Sequence, residues 1–272
     1  MRLDFKKIHG LGNDFLVIGE SSKTPFRSDS ERADFAKKFC DRNRGVGADG
    51  VLFLQENRNA DFFMRVANAD GSFAETCVNG LRCAALFKHL EEKKKKGEFL
   101  IETMPGTVKA TVENYSKGIA QVMVELPEKP KASQMKTLAI EQQKFDYYFV
   151  DVGNPHCVIF LEDDIREFPV KEIGHAVENH GLFAPKRTNT EFVNVVDDRH
   201  VHMRVYERGV GETAACGSGS IAVVAAGVKA GKLAKEQWIK VEQPGGVLEI
   251  KVGKSVFLKG AAEFVFEGKL QW

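Results

Sequence analysis

Two cysteines, each followed by a short glycine-containing turn, carry the clearest chemical signal in the sequence. They are Cys77 in TCVNGLRC (76–83) and Cys216 in ACGSGSIA (215–222), and a helical pattern begins directly after each. A thiol at a helix N-terminus lies near unpaired backbone N–H groups and the positive end of the helix dipole, and both favour the thiolate. The same N–H groups bind carboxylates. We therefore predict that each cysteine is an acid or base beside a bound carboxylate.

The two cysteines occupy equivalent positions in an internal duplication. A shift of 139 residues aligns identical residues of the two halves: Met64, Arg65 and Val66 with Met203, Arg204 and Val205, Cys77 with Cys216, Gly80 with Gly219, and Pro105 and Gly106 with Pro244 and Gly245. A shift of 141 residues aligns Gly12 and Asn13 with Gly153 and Asn154. Such a repeat predicts two lobes with the same architecture.

Equivalent positions in two pseudo-symmetric lobes are expected to face one another, so Cys77 and Cys216 would approach one substrate from opposite sides. A racemase or epimerase needs this arrangement, because it removes a proton from one face of a stereocentre and returns a proton to the other. Two helix N-termini directed at one carboxylate would stabilise the charge that develops during this reaction. The chemistry requires no cofactor.

The elements that position these residues are strands, then one helix, then strands again in each half, which predicts an α+β fold. Helices are predicted near residues 30–42, 79–95, 161–168 and 218–232, and the last is apolar on every face, as in a helix wrapped by strands. Strands are predicted at 50–55, 61–68, 98–103, 119–126, 146–152, 191–197, 201–207, 238–242 and 247–252. The run from Lys93 to Lys96 is predicted to be a solvated helix end.

The best candidate for a lobe boundary is the segment PEKPKASQMK (127–136), which contains two prolines and three lysines. We expect an N-terminal lobe of residues 1–127, completed by the C-terminal strand at about 262–272. The C-terminal lobe would then comprise residues 128–261.

The composition excludes several classes of protein. The 272 residues are 43% hydrophobic, and 39 Lys+Arg against 38 Asp+Glu give a formal net charge of +1. Such a balance does not favour a nucleic acid or an anionic membrane as partner. The opening segment lacks the apolar core of a secretory signal, so we expect a soluble cytoplasmic protein. Five cysteines are an odd and modest number, which predicts free thiols rather than a disulfide framework.

Two weaker signals are set aside. The string GVGADG (45–50) fits the dinucleotide-binding pattern, but it lies before a predicted strand instead of between a strand and a helix. His200 and His202 alternate along one strand, and His175 and His180 lie close in sequence, but the sequence offers no third ligand with convincing spacing. We therefore predict no metal site.

Six separated motifs resemble those of the diaminopimelate epimerases: HGLGNDF (9–15), GVGADG (45–50), NADGSFAETCVNGLRC (68–83), GNPHC (153–157), RTNTEFV (187–193) and ERGVGETAACGSGS (207–220). The resemblance covers nearly the whole chain. It implies two similar lobes, each a β-barrel-like sheet around a central helix. It also implies an isomerase that interconverts LL- and meso-diaminopimelate without a cofactor, in lysine and peptidoglycan precursor synthesis.

The resemblance also implies roles for individual residues. Cys77 and Cys216 would transfer the protons, and His156 and Glu207 would contact the substrate amine or tune the thiols. The N–H groups of Val78, Asn79, Gly217 and Ser218 would hold the reacting carboxylate. Asn13, Asn68, Asn154, Asn189 and Arg208 would hold the remaining polar groups, with Arg208 facing the carboxylate at the other end. A homodimer is one candidate assembly.

One residue departs from the family pattern. The diaminopimelate epimerases usually have glycine after the first cysteine, whereas this chain has Val78. Valine keeps the N–H donor but disfavours a positive φ and adds a branched side chain near the carboxylate. Two alternatives therefore stay open: a racemase or epimerase of another amino acid, and a relative that binds amino acids without catalysis.

Overall fold

Four helices and eighteen strands form the structure, a computed structural model that describes residues 2–21, 24–75, 77–92, 97–127 and 129–272. In chain order the first elements are β1 (Arg2–Gly10), β2 (Asn13–Glu20), α1 (Asp29–Cys40), β3 (Gly50–Gln55), β4 (Phe62–Asn68), β5 (Phe73–Ala74), α2 (Val78–Glu91), β6 (Glu98–Glu102), β7 (Thr107–Ser116) and β8 (Ile119–Leu126). Next come β9 (Lys131–Ala132), β10 (Lys136–Ile140), β11 (Gln143–Asp151), β12 (Pro155–Phe160), α3 (Val170–Glu178), a 3₁₀ turn (Gly181–Phe183) and β13 (Asn189–Asp197). The last are β14 (His200–Glu207), β15 (Gly211–Thr213), α4 (Gly217–Lys229), β16 (Ile239–Gln243), β17 (Gly246–Val252) and β18 (Val256–Gln271).

The chain divides into two units. The first consists of Met1–Glu125 together with Gly260–Trp272, and the second consists of Leu126–Lys259. The first unit therefore includes the C-terminal part of β18, which is far from the rest of the unit in sequence.

The strands of the first unit form a closed barrel. Four pairings are antiparallel: β1 with β2, β3 with β4, β6 with β7, and β7 with β8. Two pairings are parallel: β2 with β3, and β4 with β6. β18 pairs with both β8 and β1, which closes the ladder into a barrel of eight strands. Helix α2 contacts β1, β2, β3, β4 and β7, and it is buried almost continuously from Val78 to Phe87. It is the central helix of this unit.

The second unit repeats this order of pairing. β11 pairs antiparallel with β10 and β12, β12 pairs in parallel with β13, β13 pairs antiparallel with β14, β14 pairs in parallel with β16, and β16 pairs antiparallel with β17. Helix α4 contacts β9, β11, β12, β13 and β17, and its apolar residues from Ile221 to Ala226 are buried. The predicted α+β class, with a sheet around a central helix in each unit, is confirmed.

The helix predicted at residues 161–168 is wrong, because side chains take the backbone groups that a helix would pair. The amide of Asn194 accepts a hydrogen bond from the backbone N–H of Ile165 at 2.8 Å. Arg204 donates to the carbonyl groups of Ile165 and Phe168 at 2.7 and 3.0 Å. Pro169 follows, and it disfavours helical backbone in the residue before it.

The helix of this region is α3, which begins two residues after the end of the predicted segment. It contacts β13 and β14 just as α1 contacts β3 and β4, and a shift of 141 residues carries the first residue of α1, Asp29, onto the first residue of α3, Val170. The repeat therefore contains a second helix in each unit. The other predicted helices correspond to α1, α2 and α4, and the predicted solvated end at Lys93–Lys96 lies outside the described residues.

No helix within the described residues combines the length and the apolar character that crossing a membrane requires.

Gly174 lets α3 approach β14 closely, which leads to a stability prediction. A Cβ atom at Gly174 would lie 2.4 Å from Cβ of Tyr206, the residue before Glu207. We expect Gly174→Ala to lower the free energy of unfolding by about 1–3 kcal/mol, because one side of the contact must move. Gly181→Ala is the control, since a Cβ atom there meets nothing within 4 Å, and its effect should stay within about 0.5 kcal/mol. Urea denaturation followed by circular dichroism measures both, and equal effects would contradict this account of the packing.

Candidate active site

Cys77 begins the central helix of the first unit. It is the N-cap of α2, with φ −136° and ψ 102°, and its Sγ accepts a hydrogen bond from the N–H of Gly80 at 3.3 Å. The side chain is half-buried. Val78 is the first helical residue, so its backbone is helical and the position does not require a positive φ. The branched side chain therefore affects the space in this turn rather than its backbone.

A polar network holds the first turn of α2. The Asn79 amide donates to Oδ1 of Asn13 at 3.2 Å, and the Asn13 amide donates to Asp49 at 2.8 Å. Asp14 binds Lys7 at 2.6 Å and Arg42 at 2.8 Å, and Arg42 also binds Asp49 at 2.8 Å. The turn between β1 and β2 is thus tied to the helix that Cys77 begins.

These contacts fix the charge on Asp14. Burial alone would raise its pKa, but hydrogen bonds from Arg42 and Lys7 outweigh burial and hold the pKa at about 2. Asp14 is therefore an anion at neutral pH, paired with two cations.

Cys216 begins the central helix of the second unit with nearly the same geometry. It is the N-cap of α4, with φ −126° and ψ 114°, and its Sγ accepts from the N–H of Gly219 at 3.3 Å. The hydroxyl of Ser218 lies 3.5 Å from the sulfur. Unlike Cys77, Cys216 is buried, with 5% of its surface exposed. The duplication thus places two thiols in one local geometry but with different access to solvent.

Gln243 fixes the backbone of Cys216, a role that sequence analysis missed. Its amide oxygen accepts from the backbone N–H of Cys216 at 2.8 Å, and its amide nitrogen donates to the Ser220 hydroxyl at 3.0 Å. The Ser220 hydroxyl donates in turn to the carbonyl group of Cys216 at 2.8 Å. Both backbone polar groups of the cysteine are therefore held by side chains.

Two acidic side chains, Glu191 and Glu207, lie near Cys216. His156 and Glu191 are fully buried and hydrogen-bonded at 2.6 Å, and the other ring nitrogen of His156 contacts the Asn154 amide oxygen at 3.0 Å. Glu207 accepts a hydrogen bond from the hydroxyl of Thr213. Sequence analysis singled out His156 and Glu207 but missed Glu191. Its signal was weak, an acidic residue at the first position of the predicted strand EFVNVVD (191–197).

Burial raises the pKa of the Cys216 thiol well above its usual value, and the charges of Glu207 and Glu191 raise it further. The hydrogen bonds from Ser218 and Gly219 lower the pKa but do not outweigh those effects. The helix N-terminus alone therefore does not make Cys216 a thiolate, which corrects the expectation from sequence. Burial likewise raises the pKa of Glu207.

The side-chain amide of Asn189 binds backbone groups of Pro155 and Arg208. The Asn189 amide donates to the carbonyl group of Pro155 at 3.0 Å and accepts from the N–H of Arg208 at 2.9 Å. The guanidinium of Arg208 is exposed and donates to the carbonyl group of Lys186 at 2.7 Å. Asn68 lies at the end of β4, where its amide donates to the Ser72 hydroxyl at 2.9 Å. The substrate contacts predicted for these residues stay predictions.

All five cysteines, which the structure describes throughout, are free thiols. Burial raises the pKa of Cys40 to about 12 and also raises the pKa values of Cys83 and Cys157. These three thiols are core residues, held in the protonated form.

In the structure, His200 and His202 have an acidic residue as a third neighbour. His200, His202 and Glu242 place one ligand atom each within 4.8 Å of one another on the paired strands β14 and β16. However, the ammonium group of Lys240 lies 3.0 Å from the Glu242 carboxylate, so a cation already neutralises this cluster.

Several solved structures share the fold of this chain. A Bacillus anthracis protein of the phenazine biosynthesis PhzF family matches with a TM-score of 0.78 at 16% identity, and all of both chains is covered. A probable proline racemase from Agrobacterium radiobacter K84 matches with a TM-score of 0.70 at 15% identity, covering 99% of this chain and 92% of the other. At this identity the likeness concerns the fold.

The family follows from sequence. The family model for diaminopimelate epimerase matches residues 5–129 and 148–265. The diaminopimelate epimerase of Carboxydothermus hydrogenoformans is 39% identical over 98% of this chain and 99% of its own length. The chain belongs to the diaminopimelate epimerase family, as the six motifs indicated, and it is an isomerase.

The Gln243 contact predicts a loss of activity. Gln243→Met removes the partner of the buried Cys216 N–H, so we expect the free energy of unfolding to fall by about 1–3 kcal/mol. The freed cysteine should lose its position, and kcat should fall by about 10²-fold. Gln143→Met, at an exposed position of β11, is the control and should change neither quantity. Unchanged turnover in Gln243→Met would show that the cysteine is positioned by other contacts.

Proposed function

We propose that the protein interconverts LL- and meso-2,6-diaminopimelate by transferring protons through two cysteines, in lysine and peptidoglycan precursor biosynthesis. Membership of the diaminopimelate epimerase family supports the substrate. One observation above all supports the mechanism: Cys77 and Cys216 cap their helices with the same backbone geometry and the same 3.3 Å contact to an N–H group. Two thiols presented in the same way are what a reaction at two faces of one carbon requires.

In this mechanism one sulfur removes the α-proton as a thiolate, and the other, as a thiol, returns a proton to the opposite face. The N–H groups of the first turn of each central helix are the donors for the negative charge that develops on the reacting carboxylate: Val78 and Asn79 on α2, and Gly217 and Ser218 on α4. These donors are fixed before the reaction begins, so little reorganisation is needed during proton transfer.

The remaining polar groups bind the parts of the substrate that do not react. The exposed guanidinium of Arg208 binds the distal carboxylate, and Glu207 and His156 contact the reacting amine or tune the thiols. Asn13, Asn68, Asn154 and Asn189 complete the contacts. The mechanism needs both sulfurs reduced, which fits free cysteines in a reducing cytoplasm.

The two-cysteine mechanism predicts that neither thiol can be removed. We expect Cys77→Ala and Cys216→Ala to lower turnover by about 10²–10⁴-fold while the substrate still binds, because each variant lacks one proton-transfer group. The measurement is proton NMR with meso-diaminopimelate in D₂O, together with a chiral assay for the LL isomer. Cys157→Ala, a buried thiol on β12, is the control and should retain turnover. Full activity in either Cys77→Ala or Cys216→Ala would contradict the two-cysteine mechanism.

Val78 favours a second candidate, a racemase or epimerase of another amino acid. The side chain is only 9% exposed in the turn proposed to hold the carboxylate, so it occupies space that the family's usual glycine leaves open.

Substrate preference separates the two candidates. We expect α-proton exchange in D₂O with diaminopimelate and none with proline or glutamate. Membership of the family is stronger evidence for the substrate than the Val78 side chain is against it. Val78→Gly should keep this preference. Exchange with proline or glutamate, reversed toward diaminopimelate by Val78→Gly, would establish the second candidate instead.

A further inference from the structure

The two central helices have nearly the same backbone geometry at their cysteines but carry different buried charges. Arg82 on α2 corresponds by the 139-residue shift to Ile221 on α4. Glu191 on β13 corresponds by the same shift to Leu52 on β3. One cysteine therefore has a buried cation on its helix, and the other has a buried carboxyl group beside it.

We propose that before substrate binds Cys77 is the thiolate and Cys216 is the thiol. Arg82 and Glu191 are the positioning residues that set this order, each acting on the thiol of its own unit. The inference rests on the proposed two-cysteine mechanism and assigns its starting state.

Arg82 is a buried cation with few partners. Its side chain is fully buried, and its Nε donates to the carbonyl group of Ala261 at 3.2 Å. Its two terminal nitrogens have no hydrogen-bond partner among the residues that the structure describes. A guanidinium stays charged in proteins. Its positive charge is therefore available to a nearby anion.

The guanidinium turns back toward the first turn of α2. A Cβ atom at Gly10 would lie 2.7 Å from a terminal nitrogen of Arg82 and 3.4 Å from the carbonyl oxygen of Asn79, two residues after Cys77. Long side chains on a helix point toward its N-terminus, which agrees with this placement. Burial lowers the pKa of Arg82, and a thiolate at Cys77 would oppose that change.

The other charged groups of this region cancel one another. Asp14 and Asp49 face the turn that holds Asn13, and they are paired with Lys7 and Arg42 at 2.6–2.8 Å. Cys83 follows Arg82 on α2, but its thiol is held protonated by burial. Among these described groups Arg82 is therefore the charge without a counter-ion. The remaining neighbour in the chain, Glu75, is exposed, so solvent screens its charge.

Gly80 and Gly219 occupy equivalent positions in the two units, so their surroundings can be compared directly. A Cβ atom at Gly80 would lie 3.3 Å from Sγ of Cys77 and 3.1 Å from a methyl group of Leu52. A Cβ atom at Gly219 would lie 3.3 Å from Sγ of Cys216, but 2.8 Å from a carboxyl oxygen of Glu191. Where the turn of Cys77 has a methyl group of Leu52 as its neighbour, the turn of Cys216 therefore has a carboxyl oxygen of Glu191.

Two further groups complete the surroundings of Cys216. The second oxygen of Glu191 has no hydrogen-bond partner within the described part of the chain, and the first is bound by His156 at 2.6 Å. Glu207 adds a second carboxyl group, where the first unit has the neutral Asn68 at the equivalent position. Two carboxyl groups against one imidazole disfavour a second negative charge on the sulfur, and the raised pKa of Cys216 agrees.

The starting state defines the first proton transfer. The thiolate of Cys77 takes the α-proton from the substrate and becomes a thiol. The thiol of Cys216 gives its proton to the opposite face of the same carbon and becomes a thiolate. The isomer whose α-proton faces Cys77 therefore reacts without a preceding proton exchange with solvent.

Alkylation at each cysteine tests this order. Full-length reduced protein is treated with iodoacetamide over a pH series, and the modification of Cys77 and Cys216 is followed separately by peptide mass spectrometry. The pH midpoint of each rate profile reports ionisation independently of how exposed the sulfur is. We expect the midpoint of Cys77 to lie below that of Cys216 in the unmodified sequence. The reverse order would overturn the inference.

Three variants identify the cause. At pH 7, Arg82→Met should slow the alkylation of Cys77 about tenfold and leave Cys216 unchanged, and Arg82→Lys, which keeps the charge, should restore it. Glu191→Gln should speed the alkylation of Cys216 about tenfold and leave Cys77 unchanged. Equal effects on both cysteines, or none on either, would mean that these residues have only structural roles.

Stability provides an independent check on Arg82. Replacing an unpaired buried charge with an apolar side chain of similar length is neutral or stabilising, but Arg82→Met also removes the hydrogen bond to the Ala261 carbonyl group. These effects oppose each other, so the urea midpoint should change little. These thiol measurements require no turnover. Absence of epimerisation would contradict the proposed function alone, and a reversed order of ionisation with intact epimerisation would contradict this inference alone.

Discussion

The contact between each cysteine sulfur and the N–H group three residues later is the interaction on which the site depends. It fixes the start of both central helices. Glycine at the third position leaves room for side chains from β3 and β13, which lie within about 3 Å of where a Cβ atom would be on Gly80 and Gly219. The close approach brings Leu52 to one helix and Glu191 to the other. The same packing that buries the helix thus decides which side chain lies beside each thiol.

Closure of the first barrel extends this constraint to the end of the chain. β18 supplies the strand between β8 and β1, and the carbonyl group of Ala261 on this strand accepts the hydrogen bond from Arg82. The central helix α2 is therefore held by residues almost 180 positions away in sequence. Contacts of such high sequence separation are slow to form, so the first half of the chain cannot complete its barrel until the last strand is present.

Much of the architecture could be predicted from the sequence, because duplication left identical residues at Cys77 and Cys216 and at their glycines. The repeat also contained the signal for α3, since the 141-residue shift that aligns Asn13 with Asn154 carries α1 onto it. Hydropathy alone misplaced that helix at 161–168, where side chains of distant strands satisfy the backbone. Gln243, Glu191 and Arg82 could not be found by spacing, because their roles depend on tertiary contacts with residues 27 to 179 positions away.

Duplication explains how one fold produces two thiols in the same orientation, but identical surroundings would give them identical acidity. A reaction that begins with one thiolate and one thiol needs a difference between the halves. In the proposed mechanism that difference lies in side chains and not in the backbone. Arg82 against Ile221 and Leu52 against Glu191 are buried differences, and Glu207 stands where the first unit has the exposed Asn68. Charges buried away from solvent are screened weakly, so a few such substitutions are enough to separate the two thiols while the helices, turns and N–H groups at the two cysteines stay equivalent.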